Sequence, residues 1–133
     1  MKQKRVGKVH VLIVDDEEIV CKRLYSSLTK HGYEVETFTD PQKAMDHFAE
    51  NRKFDIVVTD IRMEGLDGLD ILNAVRVLKP GTKTIMITGY ATMEVAREAQ
   101  TKGAFDLIAK PFKPKDLLKL LDKAVRELNQ EGG

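Results

Sequence analysis

The stretch Val11-Leu12-Ile13-Val14-Asp15-Asp16 decides the fold of this chain. Four apolar residues in a row, mostly β-branched, suit a strand buried on both faces, as in a parallel sheet. Two carboxylates follow directly, where such a strand leaves the core. The pattern repeats downstream with varied chemistry. Ile56-Val57-Val58-Thr59 runs into Asp60, Ile85-Met86-Ile87 into Thr88, and Leu107-Ile108-Ala109 into Lys110. If each run is a parallel strand, three carboxylates, a hydroxyl and an ammonium share one sheet edge. Open α/β folds place their sites at the carboxyl ends of their strands.

Amphipathic segments separate the runs. From Glu17 to His31, Ile19, Val20, Leu24 and Leu28 recur at helical spacing, and Gly32 signals a C-terminal cap. Glu34 to Phe38 alternates and reads as an edge strand. Asp40-Pro41 is an N-cap followed by proline at the first helical position, and the helix it opens turns Ala44, Met45, Phe48 and Ala49 inward. Further helices are predicted over about 68–78, 92–102 and 114–128. The one over 92–102 offers only Met93, Val95, Ala96 and Ala99 to a core, so weak packing is expected. Five βα units in sequence predict an α/β fold: a doubly wound, five-stranded parallel sheet, (βα)5 and flavodoxin-like, with strand order 2-1-3-4-5.

The chain has 133 residues, 42% hydrophobic and 32% charged, which suits one soluble domain with a real core. Its 22 basic and 21 acidic residues leave a formal net charge of +1. No fold-wide basic field is present, so no direct nucleic-acid binding is expected of this domain. Lys2, Lys4, Arg5 and Lys8 form the one local excess, and residues 1–7 read as a basic, disordered leader. No apolar stretch approaches the roughly 20 residues of a membrane helix, and no secretion signal is seen. Cys21 is the only cysteine, which excludes an internal disulfide and fits a reducing cytoplasm. It falls in a helical pattern as a small buried hydrophobe. Residues 8–128 form the domain, and 129–133 read as a frayed tail or the start of a linker.

In the 2-1-3-4-5 order the first and third strands are neighbours, so Asp15, Asp16 and Asp60 crowd one pocket. Like charges that close raise one another's pKa and stay ionised only beside a cation. Mg²⁺ suits the set, being hard and content with one or two carboxylates plus waters. Lys110 supplies a second positive charge. Each residue alone has a plain reading: Asp15 to Glu18 as acids at a helix N-terminus, Asp60 as the start of a loop, Thr88 as a β-branched strand residue, Lys110 as a solvated strand end. Together, in this order, they point to a phosphoryl-accepting site.

The stretches Val14-Asp15-Asp16-Glu17, Thr59-Asp60-Ile61-Arg62-Met63 with Asp67-Gly68, Ile87-Thr88-Gly89-Tyr90 and Lys110-Pro111-Phe112 resemble the receiver domain of two-component response regulators. The resemblance covers residues 8–128. It implies that Asp60 accepts a phosphoryl group from a histidine kinase or phosphotransfer protein. It implies Mg²⁺ held by Asp15, Asp16, Asp60 and the backbone carbonyl of Arg62. Thr88 is then the hydroxyl that hydrogen-bonds the phosphoryl group, Lys110 its ion-pair partner, and Gly89 the residue that leaves it room. The Lys110-Pro111 bond is expected to be cis. The domain is expected to be a signalling module that catalyses only its own phosphorylation and slow dephosphorylation. Its fourth helix, fifth strand and fifth helix form the expected output surface, with a possible phosphorylation-dependent homodimer through it.

Departures from the family pattern bear on the switch. Glu64 stands where proline is common. Leu107 occupies a place that is usually aromatic, and Phe105, expected on the same side one pleat earlier, is not expected to substitute. Arg62 and Tyr90 flank the site as modulators of hydrolysis. Leu118 and Val125, seven apart on the last helix, suggest a second apolar stripe. His10, His31 and His47 share no spacing and read as strand start, helix end and helix surface. Competing readings are a non-phosphorylated pseudo-receiver that acts only by protein contact, a flavin carrier and a haloacid-dehalogenase-type phosphatase. Four consecutive acids after the first strand repel a flavin phosphate, and no Asp-x-Asp pattern follows that strand.

Overall fold

The computed structural model describes residues 8–63, 65–89 and 92–132, so Lys2, Lys4 and Arg5 of the leader, Glu64 and Tyr90 lie outside it. At the centre of the sheet is β3 (Ile56–Asp60), whose five residues are all buried. β1 (His10–Val14) and β4 (Lys83–Thr88) flank it, and β2 (Glu34–Phe38) and β5 (Asp106–Ala109) form the edges. All pairings are parallel, in the order β2-β1-β3-β4-β5. The doubly wound topology read from the sequence is therefore the one observed.

β1 and β3 split their side chains between two cores. Val11, Ile13, Ile56, Val58, Ile85 and Ile87 pack with α1 (Glu18–Lys30) and α5 (Pro114–Gly132). Leu12, Val14 and Val57 pack on the opposite face with α2 (Pro41–Glu50) and α3 (Gly68–Leu78). This is why the central runs lack polar alternation: neither face meets water. Side-chain caps fix the helix starts. Asp40 accepts from the amides of Gln42 and Lys43 at 2.9 and 3.2 Å. Asp67 and Asp70 form a reciprocal capping box at the start of α3.

Several local expectations change. Among the nine residues of α4 (Met93–Thr101) only Ala99 is buried, and Met93 is 70% exposed, in line with the weak packing expected there. α5 continues one turn past Leu128, so Asn129 to Glu131 are helix and not a frayed tail. Gln and Glu are good helix formers, and the Glu131 carboxylate is held by Lys83 Nζ at 2.6 Å. Leu118 and Val125 are not an exposed stripe. Leu118 is 7% exposed and Val125 packs beside it, because α5 buries the broad arc Leu117, Leu118, Leu121, Ala124, Leu128. They lend no support to a dimer face. Phe105 precedes β5, so strand alternation does not govern it. It packs on the α1/α5 side with its ring centroid 5.7 Å from Lys123 Nζ. His47 is half-buried, its Nε2 2.8 Å from Glu36 Oε1 and its ring between Phe38 and Phe54. No described helix is long and apolar enough to cross a membrane.

Gly68 matters for the site. It opens α3 with its amide donating to Ile61 O at 2.8 Å. A Cβ there lies 2.6 Å from Asp60 O and 2.8 Å from Ile61 Cα, so any side chain pushes on the backbone that carries Asp60. Gly68→Ala is expected to cost about 1–3 kcal/mol of stability. Gly81→Ala, whose Cβ meets nothing within 4 Å, is expected to stay within about 0.5 kcal/mol. Urea unfolding of the two variants checks this, and equal losses contradict it.

Candidate phosphoryl-acceptor site

The register builds the site. Val14 pairs with Thr59, Asp60 with Ile87, and Thr88 with Ala109. One step beyond these pairs lie Asp15, beside Asp60, and Lys110, beside Gly89. Lys110 N donates to Thr88 O at 2.7 Å, which continues the β4–β5 ladder into the loop. The Lys110-Pro111 peptide is cis.

One oxygen each from Asp15, Asp16, Glu17 and Asp60 fits within a mutual 4.8 Å. Lys110 is the cation among them: its Nζ stands 2.8 Å from Asp60 Oδ2, 3.0 Å from Glu17 Oε1 and 3.5 Å from Asp15 Oδ2. Burial alone lowers an ammonium's pKa. Here the bonds to Asp60 and then Glu17 outweigh it and raise Lys110 above its ordinary value.

Asp15 is wholly buried. Its Oδ1 accepts from the Glu17 amide at 2.8 Å. Its Oδ2 is buried with no hydrogen-bond donor. Burial raises the Asp15 pKa, the Glu17 amide and Lys110 pull it back, and the Asp60 and Glu17 carboxylates push it further up. Cys21, read as a small buried hydrophobe, is buried and donates its thiol to Asp15 O at 3.3 Å. Burial, followed by the Asp15 charge, pushes that thiol up to about 11, so it is inert as a nucleophile.

Asp60 ends β3 and is 6% exposed. Its Oδ1 accepts from the Arg62 amide at 3.2 Å, so both carboxylate oxygens are oriented. Asp16 and Thr88 open with Arg62, Asp67, Val95 and Glu98 onto a cleft of about 630 Å³. Thr88 is buried at the end of β4, and a Cβ on Gly89 meets nothing within 4 Å. The sheet edge thus gathers Asp15, Asp16, Asp60, Arg62, Thr88, Gly89 and Lys110.

Of the other predicted modulators, Tyr90 lies outside the described residues, and Leu107 lines a hollow of about 250 Å³ between α4 and β5 with Ala96, Ala99, Gln100, Ala104 and Phe105. Sequence reasoning missed Glu17 as a partner of Lys110, having read it as an acid at a helix start. Its position directly after Asp15-Asp16 was the only available signal.

Comparison with known proteins agrees with this geometry. The family profile described as the response regulator receiver domain matches residues 11–122. The chain is 32% identical over 126 residues to the transcriptional regulatory protein ZraR of Salmonella typhimurium, covering 95% of this chain and 28% of that protein. It therefore spans little more than a quarter of that relative. A CheY-like receiver domain from Methanospirillum hungatei superposes with a TM-score of 0.87 at 32% identity, covering 94% of this chain and 99% of that one. The beryllofluoride-activated NtrC4 receiver domain dimer gives 0.84 at 30% identity, covering 90% and 98%. Acids, hydroxyl and lysine at one edge of a 2-1-3-4-5 sheet, together with these matches, place the chain in the response regulator receiver domain family of two-component systems.

Proposed function

We propose that Asp60 accepts a phosphoryl group from a histidine kinase or phosphotransfer protein in a Mg²⁺-dependent reaction. The observation that carries this reading is the oriented Asp60 carboxylate, fixed by Lys110 Nζ at 2.8 Å and the Arg62 amide at 3.2 Å, with its neighbours Ile61 and Arg62 lining an open cleft. One Asp60 oxygen forms a bond to phosphorus while the bond from phosphorus to the donor's imidazole nitrogen breaks. The electron pair of that bond leaves with the imidazole. An ionised carboxylate attacks without a general base, so the protein's work is positioning and charge neutralisation.

Lys110 offsets charge on the transferred oxygens, and the Thr88 hydroxyl supplies a further hydrogen bond to them. Gly89 leaves space beside them. Asp15, Asp16, Asp60 and the Arg62 carbonyl are the proposed metal ligands. The donor set fits a hard cation: it is all oxygen, and Asp15 presents a buried oxygen with no donor of its own. Bound Mg²⁺ supplies positive charge that lowers the cost of bringing an anionic donor to this acidic edge. Arg62 at the cleft is the proposed shield against hydrolysis, with Tyr90 as its partner.

The output surface in this reading is α4, β5 and α5, with α4 as its movable part. Dimerisation as such has a precedent in the beryllofluoride-activated NtrC4 receiver domain dimer. Leu107, which replaces the usual aromatic ring, leaves the hollow under α4 into which the helix can settle. We place the domain in the cytoplasm, as a signalling module and not an enzyme with a separate substrate.

Acetyl phosphate with Mg²⁺ is expected to add one phosphoryl mass to the wild type and none to Asp60→Asn. Labelling of the Asn variant at the wild-type level refutes the acceptor assignment. Failure of the wild type to label favours the pseudo-receiver reading. Mg²⁺ at about 100 times its Kd is expected to stabilise the wild type by about 2.7 kcal/mol. Asp16→Ala is expected to lose most of that gain. A thermal unfolding series with and without Mg²⁺ measures it, and an undiminished gain in the variant places the metal elsewhere.

A further inference from the structure

We propose that Glu17 is a built-in rival of the phosphoryl group for Lys110: it holds the ammonium before phosphorylation, slows the reaction and is displaced by it. This rests on Asp60 being the acceptor.

Glu17 occupies the N-cap position of α1 with an extended backbone, yet its side chain caps no helix amide. Its backbone is fully engaged. The amide donates to Asp15 Oδ1 at 2.8 Å, and the carbonyl accepts from Val20 and Cys21 at 3.1 and 3.2 Å. The main chain is thus fixed, and the carboxylate is turned across the site to Lys110 Nζ at 3.0 Å. A residue retained only to begin the helix has Ser, Thr, Asp or Asn chemistry and aims at the helix amides. Glu17 does neither.

The inventory of Lys110 makes this a competition. An ammonium has three donors. Two are in use, to Asp60 Oδ2 and Glu17 Oε1, while Asp15 Oδ2 at 3.5 Å is an ion-pair contact beyond ordinary hydrogen-bond length. When Asp60 becomes an acyl phosphate, its carboxylate charge is replaced by close to two charges on the phosphoryl oxygens. Those oxygens want the same ammonium. A side chain that must yield should be easy to displace, and Glu17 is: its side chain is 57% exposed, and exposed ion pairs are weak. Once displaced, it faces a phosphoryl dianion of like sign. The pair also ties the start of α1 to the loop after β5, so its loss removes one of the contacts between them.

The test is the rate of phosphorylation by acetyl phosphate at saturating Mg²⁺, followed by intact mass. Glu17→Gln is expected to need about two- to fivefold less acetyl phosphate than the wild type for the same rate of labelling. In the wild type, the side-chain carboxyl carbon signal of Glu17 is expected to move on phosphorylation toward its position in Lys110→Ala. A Glu17→Gln protein that needs the same donor concentration overturns the inference, as does a Glu17 signal that stays in place. Weakened Mg²⁺ binding and slower labelling in Glu17→Gln also overturn it, making Glu17 a metal ligand. A wild type that takes up no phosphoryl group removes the acceptor role of Asp60 itself, a distinct result.

Discussion

Four carboxylates within 4.8 Å of one another around a single ammonium set the terms for the rest of this molecule. The sheet creates the problem. Parallel strands in the 2-1-3-4-5 order end side by side, and β1 and β3 deliver their acids to one point. Among the described residues the four acids outnumber the Lys110 ammonium, which reaches three of them. Lys110 is placed to limit the repulsion: it reaches Asp60, Glu17 and Asp15 at once from the far side of β4. Its position depends on the ladder bond from its own amide to Thr88 O. Packing of the sheet and charge balance of the site are therefore one constraint. A shift of β5 against β4 moves the ammonium.

The helices share this edge unequally. α3 is locked to it by the close approach of Gly68 to the Asp60 carbonyl and by the Asp67–Asp70 capping box. α4 is held differently at its two ends. At its C-terminus the Arg76 guanidinium, from the last turn of α3, donates to Lys102 O and lies against Gly103. The positive φ of Gly103 and its missing Cβ make room for that contact, and a cation there also complements the helix dipole. Among the described residues the N-terminus of α4 is held by the Thr92 cap, 3.2 Å from Val95 N, with Val95 and Glu98 beside the cleft.

The strand runs made the fold legible because their hydrophobicity is two-sided, which only a sheet covered on both faces satisfies. Asp15, Asp60, Thr88 and Lys110 were legible for the same reason: polar residues directly after such runs have one place to go. What could not be read was rotation about a helix axis. Leu118 and Val125 stood away from an assumed core face, but α5 buries a wider arc than a narrow stripe suggests. His47, read as helix surface, is half-buried because its ring sits by Phe38 and Phe54, and Phe105 borders the hollow beside Leu107 while also packing toward α5. Glu17 was hidden because helix-start acids are common, and nothing in spacing reveals that a side chain crosses the site to a lysine 93 residues away.

Asp15 shows what this arrangement costs and why it persists. Taken as structure alone, the position is poorly served by an aspartate. One oxygen satisfies the Glu17 amide, and an asparagine oxygen can do that equally without burying a charge. The second oxygen is buried with no donor, and desolvation works against its ionised form. Lys110 at 3.5 Å compensates in part, but its shorter bonds go to Asp60 and Glu17. The position suits the metal-ligand role proposed for Asp15: a hard cation at Oδ2 would offset the desolvation of the ionised form.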